Sequence, residues 1–132
     1  MFDLTKNDLS VAAEAGYEFE LMLPTGEPTG AFITVRSEQF RAVKSYGRKM
    51  FNMYHQKQKI AKRRGKEDEL DLDEAEDMQI ETAFVRMIGW KDIAEGGKAV
   101  EFNADNAKRI LRAHSWIREA VMEESSNLHN FR

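Results

Sequence analysis

The sequence predicts an α+β fold, mainly α-helical, in which an N-terminal β-hairpin is followed by about four helices. The hairpin is indicated by two segments with apolar residues at every second position, joined by a turn that contains proline and glycine. The helices are indicated by apolar residues that recur every three or four positions in the rest of the chain. We expect a single domain over residues 1–132, with an arm at 1–16, the hairpin at 17–36 and the helical part at 37–132.

The predicted hairpin turns at residues 24–30, which hold both prolines of the chain and two of its eight glycines. These residue types set the dihedral angles of turns. A two-stranded hairpin is only marginally stable in water, so its apolar face should rest on helices or on another copy of the chain. The positions expected on that face are Tyr17, Phe19, Leu21, Leu23, Ala31, Ile33 and Val35.

The first two helices are predicted to form an antiparallel pair. Ser37 is a good N-cap for the first helix, which becomes basic over residues 57–66 and stops near Gly65. The second helix begins in the acidic segment 67–77, because carboxylates suit a helix N-terminus, and ends at Gly89. The apolar stripe of the first helix is Phe40, Val43, Met50 and Tyr54, widened by Tyr46, Phe51 and Met53. That of the second helix is Ala75, Met78, Thr82, Val85 and Ile88.

Two shorter helices are predicted after a turn at Gly96-Gly97 and a short extended piece. Asn103 is expected to cap a helix that runs through Arg112, and Ser115 to cap the last helix. The inward residues of these two helices are predicted to be Ala107, Ile110, Leu111, Trp116, Ile117, Ala120 and Val121.

The composition indicates a globular protein with a strongly charged surface. Charged residues make up 33% of the chain and the net charge is −3, which argues against a surface built as a whole for nucleic acid. The absence of cysteine excludes disulfides, thiolate zinc sites and cysteine nucleophiles, and favours a reducing compartment. Asp3 and Asp8 stand where a signal peptide would be basic, and no apolar run is long enough to span a membrane. We therefore expect a cytosolic protein with no membrane partner.

No arrangement of residues predicts catalysis, a metal site or a cofactor. The three histidines, at positions 55, 114 and 129, lack the spacing of metal ligands. Gly96-Gly97-Lys98 lacks the other residues of a phosphate-binding loop. The acidic run that begins at Asp71 has Glu76 where a calcium loop requires glycine. We therefore expect a protein that is not an enzyme and that works by binding other proteins.

The basic segment Lys57–Lys66 allows a second interpretation, a nucleic-acid-binding regulator or packaging factor. Against it, eight carboxylates lie between Glu67 and Asp77 and would repel a phosphate backbone. The segment also has no interleaved aromatic residues for stacking on bases. Nucleic acid is therefore the less favoured partner.

The C-terminal third carries the large aromatic residues that are the candidates for partner binding. Aromatic side chains are usually core residues, but tryptophan and phenylalanine are also enriched at the centres of protein interfaces. These residues are therefore expected either to hold the C-terminal helices together or to line a partner groove. The candidate partner-binding residues are Trp90, Phe102, Trp116, Ile117 and Phe131.

Short motifs follow one another along the chain: Gly16-Tyr17-Glu18-Phe19-Glu20-Leu21, Thr25-Gly26-Glu27-Pro28, Gly89-Trp90 followed by Ile93, Val100-Glu101-Phe102-Asn103, Asn106-Ala107, Trp116-Ile117-Arg118 and Asn130-Phe131. Their order resembles that in the small tail assembly chaperones of long-tailed, siphovirus-type bacteriophages. The resemblance runs from about Gly16 to Phe131 and includes no catalytic motif. One departure is Ser115, where members of that family often have proline before the Trp-Ile pair.

The resemblance implies a non-catalytic chaperone in the host cytoplasm that coats the tape measure protein and keeps it soluble until the tail tube polymerises around it. Such chaperones act in many copies, so it also implies a homo-oligomer. A longer form made by ribosomal frameshifting commonly recruits the major tail tube protein in this family. The tube subunit then displaces the chaperone, which is not expected in the mature virion.

Overall fold

The structure, a computed structural model, describes residues 1, 3, 16–38, 40–63 and 72–131. Most of the predicted arm at 1–16, the end of the basic segment and residues 67–71 of the acidic segment lie outside this part of the chain. The strands are β1 (Tyr17–Met22), β2 (Pro28–Val35), β3 (Met87–Lys91), β4 (Ala94–Glu95) and β5 (Lys98–Ala99). The helices are α1 (Arg41–Arg63), α2 (Leu72–Phe84), α3 (Ala104–Ala113) and α4 (Ser115–Ser126), followed by a 3₁₀ helix at Leu128–Phe131.

The predicted fold class is confirmed, with an N-terminal hairpin followed by four α-helices. β1 and β2 pair antiparallel, with Phe19 opposite Ile33. The turn is shorter than predicted, because Pro28 already lies in β2 opposite Met22. Proline cannot donate a ladder hydrogen bond, so it suits a stretch of β2 that has a partner on one side only. β3 meets β2 only at residues 32–35, which leaves Pro28 in such a stretch.

A third strand, β3, was not predicted, and it corrects the end of the second helix. α2 stops at Phe84, and Gly89 lies inside β3 instead of ending a helix. β3 pairs antiparallel with β2, so that the sheet order is β1-β2-β3. Val85 and Ile88 continue the helical spacing of α2, but β-branched residues also favour strands. This segment forms a strand and does not continue the helix, because the backbone N–H and C=O groups at the open edge of β2 then gain hydrogen-bond partners from β3.

The start of α1 also differs from the prediction. Ser37 is buried and α1 begins at Arg41, so Ser37 is not its N-cap. The connection between β2 and α1 is held by α4 instead. The Ser125 hydroxyl donates to the Arg36 carbonyl oxygen at 2.6 Å, and the Glu38 backbone N–H donates to the Ser125 carbonyl oxygen at 3.0 Å. These bonds tie the C-terminal helix to the segment that leads into α1.

The core lies between one face of the three-stranded sheet and helices α2, α3 and α4. As predicted, alternate residues of the hairpin point into it, although Leu23 at the turn is exposed. The predicted inward residues of α3 are all buried, and α4 contributes Ile117 and Val121. The buried apolar residues of this cluster are Phe19, Leu21, Ala31, Ile33, Val35, Ile80, Ala83, Met87, Ile110, Leu111, Ile117, Val121 and Phe131. None of the helices in the described ranges is long and apolar enough to cross a membrane.

The predicted turn at Gly96-Gly97 is confirmed as the tip of a small hairpin formed by β4 and β5. Both glycines have positive φ, at 56° and 80°. A two-residue hairpin turn whose twist matches that of its strands requires positive φ at both central residues. Glycine adopts positive φ without the steric strain that other residues have there.

Asn103 caps α3 as predicted, and its side-chain oxygen accepts a hydrogen bond from the Asn106 backbone N–H at 2.8 Å. Replacing Asn103 by alanine should lower the free energy of unfolding by about 1 kcal/mol, because one N–H at the helix start then has no side-chain partner. Urea denaturation measures the change. Ser115→Ala is the control, since the cap position of α4 is His114 and no side chain caps that helix. A loss for Ser115→Ala as large as for Asn103→Ala would contradict this assignment.

Candidate functional site

The predicted partner-binding residues lie in the core or at its edge. Ile117 and Phe131 are buried, whereas Trp90, Phe102 and Trp116 are half-buried and pack against the core. None of these five side chains is largely exposed. Their placement agrees with the expectation that they hold the C-terminal part together. A direct role in partner binding stays a prediction for the three half-buried side chains.

Trp90 of β3 and Phe102 form an aromatic contact that also includes Phe84. Their ring centroids lie 4.9 Å apart in an edge-to-face arrangement, and Phe102 stacks on Phe84 at 6.2 Å. The Trp90 indole N–H donates to the Val100 carbonyl oxygen at 2.8 Å. Phe131 belongs to a separate contact, 6.2 Å from the ring of Tyr17. The structure therefore does not bring the predicted aromatic residues together in one patch.

Four exposed large apolar residues lie instead on α1, and this corrects the predicted packing of its stripe. Val43 is buried, and Tyr46 and Met50 are half-buried. Three residues of the stripe are open to solvent: Phe51 is 62% exposed, Met53 42% and Tyr54 41%. Ile60, beyond the predicted stripe, is 50% exposed. We call Phe51, Met53, Tyr54 and Ile60 the α1 surface. Phe51 lies on the opposite side of the helix from Ile60, so these residues are spread around α1 and do not share one face. Their number on a single helix makes α1 a candidate for partner binding.

α2 is shorter than α1 and lies beside only part of it. α1 has 23 residues and α2 has 13. Tyr46 lies beside Glu81 near the end of α2, while Lys57 forms an ion pair with Glu74 near its start, with Nζ 3.2 Å from the carboxylate oxygen. The two helices therefore run antiparallel, as predicted, and the ion pair joins their basic and acidic segments.

Charge is segregated between these two helices. α1 contains eight basic residues and no acidic residue, whereas α2 contains five acidic residues and no basic residue. The basic residues of α1 are Arg41, Lys44, Arg48, Lys49, Lys57, Lys59, Lys62 and Arg63. The acidic residues of α2 are Asp73, Glu74, Glu76, Asp77 and Glu81.

Most of the acidic residues of α2 form ion pairs with basic residues of α3. Arg112 forms ion pairs with Asp77 and, at 3.9 Å, with Glu76. Lys108 forms an ion pair with Glu81 at 2.5 Å. By contrast, Arg41, Lys44, Arg48, Lys49 and Lys59 lie within ion-pair distance of no acidic residue in the described part of the chain. Within the described residues, these five basic side chains therefore lie on the same helix as the exposed apolar side chains and have no ion-pair partner.

A cleft of about 420 Å³ lies where α1 and α2 meet β3. Burial raises the pKa of Tyr46, and the nearby Glu81 carboxylate adds to the shift. Beside the cleft, burial lowers the pKa of Arg86, an effect that Glu38 opposes. Among the described residues, the lining includes one carboxylate, Glu81, and no histidine. The cleft is lined by Arg36, Tyr46, Glu81, Phe84, Val85, Met87, Ile88 and Phe102.

Comparison with known protein families identifies the family of this chain. The model of a family described as YdaY prophage protein matches residues 41–132, more than two thirds of the chain. The chain belongs to the YdaY prophage protein family. It is therefore a phage-derived protein. No curated protein and no solved structure matches it.

The match to the YdaY family begins at the first residue of α1 and includes all four helices and β3. The region shared with the family therefore contains the whole α1 surface, while the hairpin that completes the sheet precedes it. Sequence reasoning placed the apolar residues of α1 inside the fold and missed this surface. The signal that could have found it was the charge of the helix, since a helix with basic residues only needs an acidic neighbour along its whole length.

Proposed function

We propose that this YdaY-family protein is a non-catalytic assembly chaperone that binds a phage tape measure protein and keeps it soluble until the tail tube polymerises around it. The observation that carries the proposal is the α1 surface, a set of four exposed apolar side chains on one helix. Membership of a prophage family and the resemblance of the motifs to tail assembly chaperones support it.

The physical task of such a chaperone is to cover apolar helices of its partner without precipitating itself. The α1 surface supplies apolar contact area, and 33% of the residues of the chain are charged and keep the complex hydrated. No covalent chemistry is required, and the protein acts as a binding protein in the host cytoplasm and not as an enzyme. The tail tube protein, recruited through a longer form of the chaperone, displaces it during assembly.

Coating a long partner requires many copies of the chaperone side by side, and the sheet offers a means of association. β1 and β3 are the edge strands of the three-stranded sheet. An edge strand presents unpaired backbone N–H and C=O groups that can pair with a second copy. The protein therefore acts as a homo-oligomer on its partner.

The alternative function is that of a nucleic-acid-binding regulator or packaging factor. The observation that favours it is the charge of α1, with eight basic residues and no acidic residue. Binding through phosphates alone would leave the apolar side chains of the α1 surface uncovered, which is why a protein partner is preferred. A nucleic-acid function would require affinity for DNA that falls steeply as salt concentration rises.

Co-expression with the tape measure protein of the same prophage tests the proposal. We expect a soluble complex that contains several copies of this chain per partner, as measured by affinity capture and light scattering. A double variant, Met53→Ser with Ile60→Ser, should lose most of the soluble complex because it removes apolar contact area. Met22→Ser is the matched control, since Met22 is 45% exposed but lies on the hairpin. A tape measure protein that remains insoluble with the wild-type chain would refute the proposed function.

A further inference from the structure

We propose that the cleft between α1, α2 and β3 binds a small apolar group that ends in a carboxylate, such as an aromatic acid. The carboxylate binds at Arg36, and the apolar group packs against Phe84 and Phe102. None of the four residues of the α1 surface lines this cleft. Binding there needs no tape measure protein, so this site and the proposed function are tested separately.

The size and lining of the cleft fit a small ligand. Its volume of about 420 Å³ lies within the range of roughly 300–1,000 Å³ that is usual for small-molecule sites. Such sites are mostly apolar and contain a few polar groups that orient the ligand. The apolar residues of this lining are Phe84, Val85, Met87, Ile88 and Phe102, and the polar ones are Arg36, Tyr46 and Glu81.

One wall of the cleft is an aromatic surface that other contacts hold in place. The rings of Phe84 and Phe102 stack with their centroids 6.2 Å apart. Trp90 packs edge-to-face on Phe102 at 4.9 Å, and its indole N–H donates to the Val100 carbonyl oxygen at 2.8 Å. Because these contacts order the rings without a ligand, an aromatic or other apolar ligand can pack on them at little cost in entropy.

Arg36 gives the cleft a binding group for a carboxylate. It donates one N–H to the Val85 carbonyl oxygen at 3.4 Å, and its guanidinium lies over the Phe40 ring, 5.0 Å from the centroid. A guanidinium has five N–H donors in a planar fork, so Arg36 keeps donors that fit the two oxygens of a carboxylate. Glu81, the carboxylate of the lining, already forms an ion pair with Lys108.

Two buried polar groups at the cleft also lack an acceptor. The Tyr46 hydroxyl and the Arg86 Nε–H have no hydrogen-bond partner in the described part of the chain. Burial raises the pKa of Tyr46 and a contact with Thr82 opposes the shift, but these two hydroxyls do not meet in hydrogen-bond geometry. Buried donors without acceptors make the local potential positive, and a carboxylate in the cleft would offset it.

Isothermal titration calorimetry of the full chain with three related probes tests this chemistry. The probes are phenylpropionate, the neutral phenylpropionamide and the cationic phenylpropylamine. The acid should bind at least about tenfold more tightly than the amide, because hydrogen bonds to a charged group are stronger than those to a neutral one. The amine should bind no more tightly than the amide. In NMR spectra, the acid should shift the backbone amide signals of residues 84–88 and 102.

Two substitutions separate the contributions of charge and apolar contact. Arg36→Gln should weaken the acid by roughly tenfold and leave the amide unchanged, whereas Arg48→Gln, at an exposed arginine of α1, should change neither. Ile88→Ser should weaken acid and amide alike, because Ile88 lines the cleft. Ile60→Ser is its matched control, since Ile88 is 40% exposed and Ile60 50%. Circular dichroism checks that each variant keeps the fold, and the Ile88 variant tests the site even if Arg36→Gln does not fold.

A short peptide that ends in phenylalanine with a free carboxylate distinguishes two sources of the ligand. Tighter binding of the peptide than of phenylpropionate would assign the cleft to the C-terminus of a partner protein, and the reverse order would assign it to a free acid. Equal binding of acid and amide, or tighter binding of the amine, would overturn the proposal. So would NMR shifts confined to the exposed basic residues of α1, or the absence of saturable binding by both acid and peptide.

Discussion

Replacing Phe131 by alanine should lower the free energy of unfolding by about 3 kcal/mol or more, the usual cost of removing a buried phenylalanine ring. Phe131 is only 4% exposed, although it lies at the end of the last helical turn of the chain. Its ring packs in the core beside Tyr17 of β1. The loss of the ring would leave a cavity between the sheet and the C-terminal helices. Urea denaturation followed by circular dichroism measures the change.

His129→Ala is the control for this prediction. His129 lies in the same 3₁₀ helix but is exposed, so the substitution should change the free energy of unfolding by less than about 0.5 kcal/mol. A Phe131→Ala variant with an unchanged urea midpoint and reduced affinity for a partner would contradict the core assignment. Phe131 would then be a binding residue, as the sequence alone allowed.

The second large effect is expected for Ile33→Ala, compared with the same substitution at Ile60. Ile33 is 0% exposed in the central strand, between Phe19 of β1 and Trp90 of β3. Its truncation should lower the free energy of unfolding by about 2–4 kcal/mol, because it removes buried apolar contacts and leaves a cavity. Ile60 is 50% exposed on α1, and Ile60→Ala should change stability by less than about 0.5 kcal/mol.

These two variants compare the same isoleucine-to-alanine substitution at a core position and at a position of the α1 surface. The unfolding free energies of both are measured in urea with the same probe, and capture of the soluble tape measure protein is measured in parallel. Ile60→Ala should weaken binding while leaving stability unchanged. A loss of stability at Ile60 as large as at Ile33 would show that the end of α1 packs within the monomer, and the surface would then not be free for a partner.

The parts of the fold that follow from local interactions were predictable from the sequence. The hairpin was predicted because alternation and turn residues act within a few positions of one another. α3 was predicted with its cap at Asn103 and its buried residues Ala107, Ile110 and Leu111, since a helix cap and a helical stripe are local features. The attraction between the basic and acidic segments also predicted that α1 and α2 pair antiparallel.

The parts that depend on distant contacts were not predictable. Residues 85–88 fit the continuation of α2, and only the open edge of β2, about 50 residues away in the sequence, makes them turn and form β3. The aromatic residues Trp90, Phe102 and Trp116 could equally be core or surface until the sheet and the helices were in place. The stripe on α1 has the spacing of a buried face, but spacing does not tell whether another helix is long enough to cover it.

The sequence by itself determined the fold class, the positions of the hairpin and helices and the charge of α1 and α2, because these depend on local periodicity and composition. The tertiary structure alone decided which apolar residues are buried. Burial depends on the length and placement of the neighbouring elements, and α2 ends its contact with α1 before Ile60 is covered. The exposed apolar surface on α1 is therefore a result of how the helices pack, and it is the feature on which the proposed function depends.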